Sequence, residues 1–437
     1  MTEAPPHEPA DQAPIALSDA LRFFLPLIFM TELNMISKSI IHASLARMAD
    51  AKVALAGFSV AFAFYYTVTS ATEVSTLLSI SYLRDKRSIR HLLGFFCMVV
   101  LPPVGITWLM AFTPLGDLFY GGLFGISGPA VAQARLATFM LSLSAPVLML
   151  RALAFALLML QRRTGWITVS TLLRLLSLGL SLTVLPYLLE GAAAGAAALV
   201  FCMTVETAFA WGAAWRFYLA LPPEKDGPRP SYRDLWRFSW PLMLNQAGEM
   251  GITMVINLFL GRLRQAELAL ASFGVVQGLA NVLLSPLRNL VQTAQTLARS
   301  AEDVRTLVRF TAVLVILFTL GVMAVFLSPL RGWVLVEVMG LSEELTAYSA
   351  PAVKWAFLVA GGWGFAALFR GLLAAARRTG TVAASALARL ITVGLLGMGV
   401  FVWPGLNGAV FGMLLWALAF AVECAVLGTR LRRGVFV

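Results

Sequence analysis

Twelve ionisable side chains lie inside apolar stretches of this sequence that are long enough to cross a membrane. An ionised group is costly in hydrocarbon, so each one predicts a partner, a water-filled cavity or a role in binding. The basic members are Lys38, Arg151, Arg174, Arg288, Lys354, Arg370 and Arg389, and the acidic members are Glu32, Glu73, Glu206, Glu249 and Glu423. The basic excess of two charges favours an anionic solute over a cation.

Helical spacing groups some of these residues into stripes. Asn34, Lys38 and His42 are four residues apart, so they lie on one face of the first apolar helix. Glu249 and Asn257, eight residues apart, form a similar stripe on the seventh helix with Thr253 between them. We therefore predict that both stripes border one polar chamber.

Two kinds of role follow for these residues. The predicted substrate-binding set is Lys38, His42, Arg288, Lys354, Arg370, Asn34 and Asn257. Glu73 and Glu249 are expected to neutralise those cations in the empty state or to carry protons for coupling. An alternative is that Glu73 and Arg288 only neutralise each other.

Four further residues are better explained by structure than by binding. Arg174 with Glu206, and Arg389 with Glu423, recur on the last two helices of each half of the chain. We predict an ion pair inside each bundle from these residues.

The chain repeats itself at a nearly constant shift. The run Arg162-Arg163-Thr164-Gly165 returns as Arg377-Arg378-Thr379-Gly380, and Glu206 returns as Glu423. Both runs are predicted to end a helix, with the glycine as its cap. A shift held along the whole chain indicates two homologous halves, and in membrane proteins related halves usually enclose a solute site.

Composition places the chain in a membrane. Of its 437 residues, 59% are hydrophobic and only 13% are charged, more apolar than a soluble domain can bury. Because a crossing needs roughly 20 apolar residues, twelve helices are predicted, the longest of which extend beyond the bilayer or tilt. They cover about 20–45, 54–82, 92–113, 129–160, 166–188, 191–214, 238–261, 268–297, 306–328, 343–375, 380–402 and 407–429.

Charge distribution predicts the topology. Most cations fall on the side of the N-terminus, so both termini are expected in the cytoplasm of a multi-pass inner-membrane protein. Six crossings per half is an even number, so both halves start on the same face and are related by a pseudo-twofold axis along the membrane normal. The predicted divisions are a tail (1–19), a bundle (20–216), a linker (217–236) and a second bundle (237–433).

Several functions are excluded or disfavoured by the sequence. The net charge of +11 is mostly topogenic, which argues against nucleic acid. The three cysteines fall inside helices, so neither a disulfide framework nor a metal site is expected. No phosphate loop or nucleophile elbow is present, so we expect no enzyme, no cofactor and no ATP hydrolysis, but a monomer driven by solute, proton or sodium gradients.

Short motifs carry a resemblance to a known family. Trp240-Pro241-Leu242, the run 255–259 with Arg262, and the run 387–391 resemble the progressive ankylosis protein family. This family is a MATE-like branch of the multidrug/oligosaccharidyl-lipid/polysaccharide (MOP) exporter superfamily. The resemblance implies that the first and seventh helices face a central cleft and that the cargo is pyrophosphate, citrate or a nucleotide. The other candidate, a major facilitator, is disfavoured because the loop 81–90 contains no glycine.

The expected function is therefore a secondary transporter that exports small polyvalent anions by alternating access. The nearest alternative is a MATE-type multidrug antiporter that exchanges organic cations for protons or sodium. A lipid-linked precursor flippase would need a lipid-accessible groove. A membrane enzyme would need a convergent acid, base or nucleophile cluster, and a non-transporting scaffold would tolerate neutralisation of the intramembrane charges.

Overall fold

A computed structural model of the chain describes residues 14–45, 47–48, 50–123, 128–223, 230–339 and 341–431. Within these ranges the side chains of Asn34 and Lys38 are not described, so the predictions for them lie outside the described part. The described residues fold as α-helices joined by short turns, which confirms the all-α membrane fold.

The helices are numbered so that a helix in the first half and its repeat differ by six. The first half contains α1 (Leu17–Leu45), α2a (Ala51–Thr69), α2b (Ser75–Tyr82), α3 (Lys86–Phe112), α4a (Gly128–Ser142), α4b (Ser144–Leu160), α5 (Gly165–Val184) and α6 (Gly191–Ala220). The second contains α7 (Tyr232–Leu260), α8a (Ala266–Leu284), α8b (Leu290–Leu297), α9 (Ala301–Phe326), α10a (Glu343–Val353), α10b (Phe357–Ala375), α11 (Gly380–Gly397) and α12 (Gly408–Leu431).

The number of membrane-spanning helices is consistent with twelve. In the described residues nine stretches are long and apolar enough to cross a bilayer, and the bent pair α2a–α2b makes ten. The remaining two, α1 and α7, have 29 residues each and carry more polar side chains. Since α6 ends at Ala220 and α7 begins at Tyr232, the predicted linker overlaps both helices, and the domain boundaries stay predictions.

The four longest predicted helices are all broken in the middle. A 3-10 turn interrupts α2 at Ser70–Val74 and α8 at Ser285–Asn289. The bend in α2 is 55°. Glu73 and Arg288, which the repeat makes equivalent, lie in these two turns. Irregular backbone at membrane depth is tolerated where it is buried in protein or lines a cavity.

The repeat also governs how the third and ninth helices start. Asp85 caps α3 and exchanges hydrogen bonds with Ser88. In α9 the same capping box is built with the residues exchanged, because Ser300 is the cap and Asp303 the third residue. Each box satisfies backbone donors that the first turn leaves without partners.

The repeated Arg-Arg-Thr-Gly runs correct one prediction. Gly165 and Gly380 do not cap the preceding helices, since they are the first residues of α5 and α11. The left-handed cap position is held by arginine instead, at Arg162 (φ 54°) and Arg377 (φ 55°). Glycine usually occupies this position because a side chain there is strained.

The two halves make their main contacts near one end of the molecule. The first part of α1 contacts the 285–289 turn, α8b and α9, while α2b contacts α7, α8b and α10b. Phe24 packs edge-on against Phe310 at 5.5 Å, and Tyr82 packs on Phe238 at 5.3 Å. We call this end the closed face. From the concentration of contacts at this end, we infer that a cleft between the halves opens toward the opposite face.

Candidate functional site

Polar contacts between the halves form the floor of the cleft. The Ser285 hydroxyl, in the second half, donates to the Glu32 carboxylate of α1 at 3.0 Å. The Asn289 amide donates to the hydroxyl of Thr31 at 2.7 Å and to the backbone oxygen of Leu27 at 3.0 Å. These bonds join α1 to the 3-10 turn that interrupts α8, so this turn forms part of the floor.

Arg288 lies at this floor and connects the second bundle to the cleft. Its Nη2 donates to Glu249 Oε1 at 2.7 Å, and 38% of its side chain is exposed whereas 8% of that of Glu249 is. The guanidinium lies 5.7 Å from the ring centre of Trp363, and it interacts electrostatically with Tyr66 and Glu73 of the first half. Arg288 is thus paired mainly with Glu249 of its own bundle.

Behind Arg288 an ion-pair network continues into the second bundle. Arg370 Nη1 lies 3.4 Å from Glu249 Oε2, and Arg370 Nε lies 3.6 Å from Glu423 Oε1. Asn245 accepts from Arg370 at 3.0 Å and donates to Glu423 at 3.0 Å. Arg389 completes the network with a fully buried pair to Glu423 at 2.6 Å. Three arginines therefore share two carboxylates.

A smaller network occupies the first bundle. Glu206 accepts from Arg151 at 2.9 Å and from the Thr171 hydroxyl at 3.0 Å. Arg174 lies 3.6 Å from the same carboxylate. The predicted pairs Arg174–Glu206 and Arg389–Glu423 are thus both present as contacts. Two arginines share one carboxylate here, so guanidinium groups outnumber their carboxylates in each bundle.

Arg370 and Lys354, both predicted to line the cleft, have surroundings different from those of Arg288. Arg370 is 5% exposed and lies within the bundle, so it does not belong to an exposed basic wall. Lys354 is exposed, and it follows α10a just outside the apolar span Phe357–Ala375. Trp355 beside it is also exposed.

The other predicted site residues that the structure describes lie on α1, on α7 and in the turn of α2. His42 lies 3.5 Å from the Ser59 hydroxyl and packs edge-on against Phe58. Asn257 is exposed, one turn before the end of α7. Glu73 is exposed in the 3-10 turn of α2.

Sequence reasoning missed three residues that the networks need. Asn245 links Arg370 to Glu423, Trp363 covers the face of Arg288, and Tyr66 reaches Arg288 from the other half. Asn245 lies one turn before Glu249 on α7, so the helical spacing used for the stripes was a signal that could have found it. Nothing in the sequence marked the two aromatic residues.

The second network has more buried hydrogen-bond donors than acceptors. Among the described residues, Arg288 Nε, Arg370 Nη2, Arg389 Nε and Trp363 Nε1 are buried donors without an acceptor. An unsatisfied buried donor costs roughly 1–3 kcal/mol. Their concentration around two shared carboxylates creates a region that can accept further anionic oxygen atoms.

Comparison with solved structures identifies the fold. The chain is similar to a MOP superfamily transporter from Pyrococcus furiosus Vc1, with a TM-score of 0.73, 14% identity and 96% of each chain covered. That transporter is described as having a binding pocket of reverse polarity that suggests a different function. An outward-facing multidrug resistance MATE family transporter (TM-score 0.70, 15% identity, 95% of each chain) and the eukaryotic MATE transporter AtDTX14 (0.72, 14%, 95%) are also similar.

The fold is therefore the one found in MATE transporters of the MOP superfamily. No protein-family model matches the chain, and no curated protein matches it. The narrower resemblance to the progressive ankylosis family has no support among these neighbours, which are MATE transporters.

Proposed function

We propose that this protein is a secondary transporter that moves a small polyvalent anion across the membrane by alternating access. The fold supports the transporter part of this proposal, because neighbours that share it over 95% or more of their length are transporters. The two-bundle architecture suits rocking of one half against the other around a central site.

The closed face supports a direction of opening. Under the positive-inside rule, the end where α1 begins is cytoplasmic, so a cleft closed there is open to the outside. The conformation then corresponds to the outward-facing state of the cycle. Release of an exported solute takes place from this state.

Arg288 is the observation that carries the anionic assignment. In the described part of the chain it is an intramembrane cation that is both part-exposed and near the cleft floor. A guanidinium recognises carboxylate and phosphate groups through paired N–H donors, and Arg288 has a donor, Nε, without an acceptor. The arginine excess in both bundles adds to this preference.

A cation antiporter is the second candidate, and two observations favour it. Glu73 is exposed and Glu32 is part-exposed, so two carboxylates border the same cleft. Arg370 is buried in its bundle and Lys354 lies outside the apolar span. The basic excess counted from the sequence is therefore smaller in the cleft itself. Carboxylates in such a place are suited to bind organic cations or to carry protons.

Transport in proteoliposomes separates the two candidates. We expect counterflow of radiolabelled citrate or pyrophosphate, and its loss in Arg288→Gln. Asp117→Asn is the matched control, since it removes a charge from an exposed pair with Arg135. Movement of a cationic dye without movement of either anion, dependent on Glu73 and insensitive to Arg288→Gln, would establish the antiporter instead.

A further inference from the structure

We infer that Glu249 is a built-in competitor that occupies the anion-binding groups of Arg288 and thereby makes the site selective for polyvalent over monovalent anions. This inference rests on the proposed function and concerns the same cleft. It gives Glu249 a role in specificity beyond the charge neutralisation or proton carrying predicted for it.

The geometry around Glu249 is that of a bound carboxylate ligand. One oxygen lies 2.7 Å from Arg288 and the other 3.4 Å from Arg370, so a single carboxylate bridges two guanidinium groups from α8 and α10. Glu249 itself is 9% exposed. An anionic solute that enters the cleft meets an Arg288 whose Nη2 already binds Glu249.

Glu249 does not satisfy all the donors around it. Each oxygen of its carboxylate accepts one N–H, from Arg288 and from Arg370. Arg288 Nε, Arg370 Nη2 and the neighbouring Trp363 Nε1 remain without acceptors. Asn245 does not fill this need, because its carbonyl oxygen accepts from Arg370 Nη1.

Selectivity by charge follows from this competition. A monovalent carboxylate that displaces Glu249 replaces one carboxylate with another, so it gains few new hydrogen bonds and leaves Glu249 to find other partners. A polyvalent anion can engage Arg288 with one group and the unsatisfied donors with a second. The remaining titratable groups near the site are Glu73 and Tyr66 from the first half, and Arg389 and Glu423 from the second. Monovalent and polyvalent anions meet the same groups, so these groups do not explain the selectivity by charge.

The test compares affinity in the intact purified protein and in Glu249→Gln. Binding of acetate, citrate, orthophosphate and pyrophosphate is measured by isothermal titration calorimetry, with Asp117→Asn as the control for loss of one carboxylate. We expect Glu249→Gln to bind acetate at least tenfold more tightly than wild type. The ratio of citrate to acetate affinity should fall by at least threefold, and Asp117→Asn should leave it unchanged.

The outcomes separate this inference from the proposed function. Anion binding by wild type with an unchanged citrate-to-acetate ratio in Glu249→Gln overturns the competitor and leaves the transporter assignment intact. Anion binding only in Glu249→Gln upholds the competitor and overturns the proposed cargo. If Glu249→Gln does not fold, Glu249→Asp replaces it: its shorter side chain must lower the ratio in the same direction, and an unchanged ratio overturns the inference.

Discussion

Replacing Arg377 by glycine is expected to loosen the closed face. Arg377 Nη2 donates to the backbone oxygen of Ser81 at 3.0 Å, and its guanidinium lies 4.3 Å from the ring centre of Tyr82. Both partners belong to the other half, at the end of α2b. Gln295 adds a bond to the Ser81 hydroxyl at 2.8 Å, so the end of α2b is held at several points.

The size of the effect can be worked from these contacts. A hydrogen bond from a charged donor contributes about 1.5 kcal/mol at the low end, and an exposed cation–π contact adds about 0.5 kcal/mol. Their loss in Arg377→Gly should shift the equilibrium between closed and open forms of this face by about 2 kcal/mol, or roughly 30-fold. The cap geometry is kept, because glycine favours a positive φ.

Arg162→Gly provides a matched control. Arg162 has the same cap geometry in the first half, but among the described residues its side chain makes no hydrogen bond to the other half. Its neighbour there is Arg299, and burial followed by the charge of Arg162 lowers the pKa of the Arg299 guanidinium. Removing Arg162 therefore removes a repulsion across the closed face and should not open it.

The distance across the closed face is measurable by double electron–electron resonance. Spin labels at 90 and 305, exposed equivalent positions on α3 and α9, report it once the native cysteines Cys97, Cys202 and Cys424 have been replaced. We expect a longer-distance population in Arg377→Gly and the wild-type distribution in Arg162→Gly. Identical distributions in the two variants would refute the assignment of Arg377 as a contact that holds this face closed.

Three further predictions concern stability in detergent, each followed by thermal unfolding. Gly371→Ala should destabilise the protein by about 1–3 kcal/mol through overpacking, since the added Cβ would collide with the Val291 carbonyl oxygen of α8b. Gly361→Ala is the control and should be neutral or stabilising, because the space around Gly361 is open. Equal effects of the two substitutions would contradict the close packing of α10b on α8b. Glu423→Gln should lower the free energy of unfolding by about 3–5 kcal/mol because it leaves buried guanidinium groups uncompensated. Asp117→Asn, in an exposed pair, should lower it by at most about 1 kcal/mol. A mild effect of Glu423→Gln would mean that water reaches the network. Ser231→Ala should lower the free energy of unfolding by about 1 kcal/mol by removing the cap of α7. An unchanged unfolding temperature would show that the first turn of α7 does not limit stability.

Much of the fold could be read from the sequence. Apolar length and hydropathy identified the membrane-spanning helices, and the repeat identified the two halves, because both depend on local composition and spacing. Apolar length alone did not predict the interruptions of α2 and α8. Ser70–Val74 and Ser285–Asn289 are short polar segments that contain Glu73 and Arg288, and hydropathy averaged over a whole membrane span does not resolve a turn of five residues.

For the candidate site too, some features follow from the sequence and others only from the tertiary structure. The sequence determined which charges enter the membrane and which recur, so the contacts of Arg174 with Glu206 and of Arg389 with Glu423 could be foreseen from position alone. Which charges face the cleft depends on the rotation of each helix about its axis and on contacts between helices far apart in the chain. Only the tertiary structure could therefore bury Arg370, place Lys354 outside the apolar span and set Glu249 against Arg288.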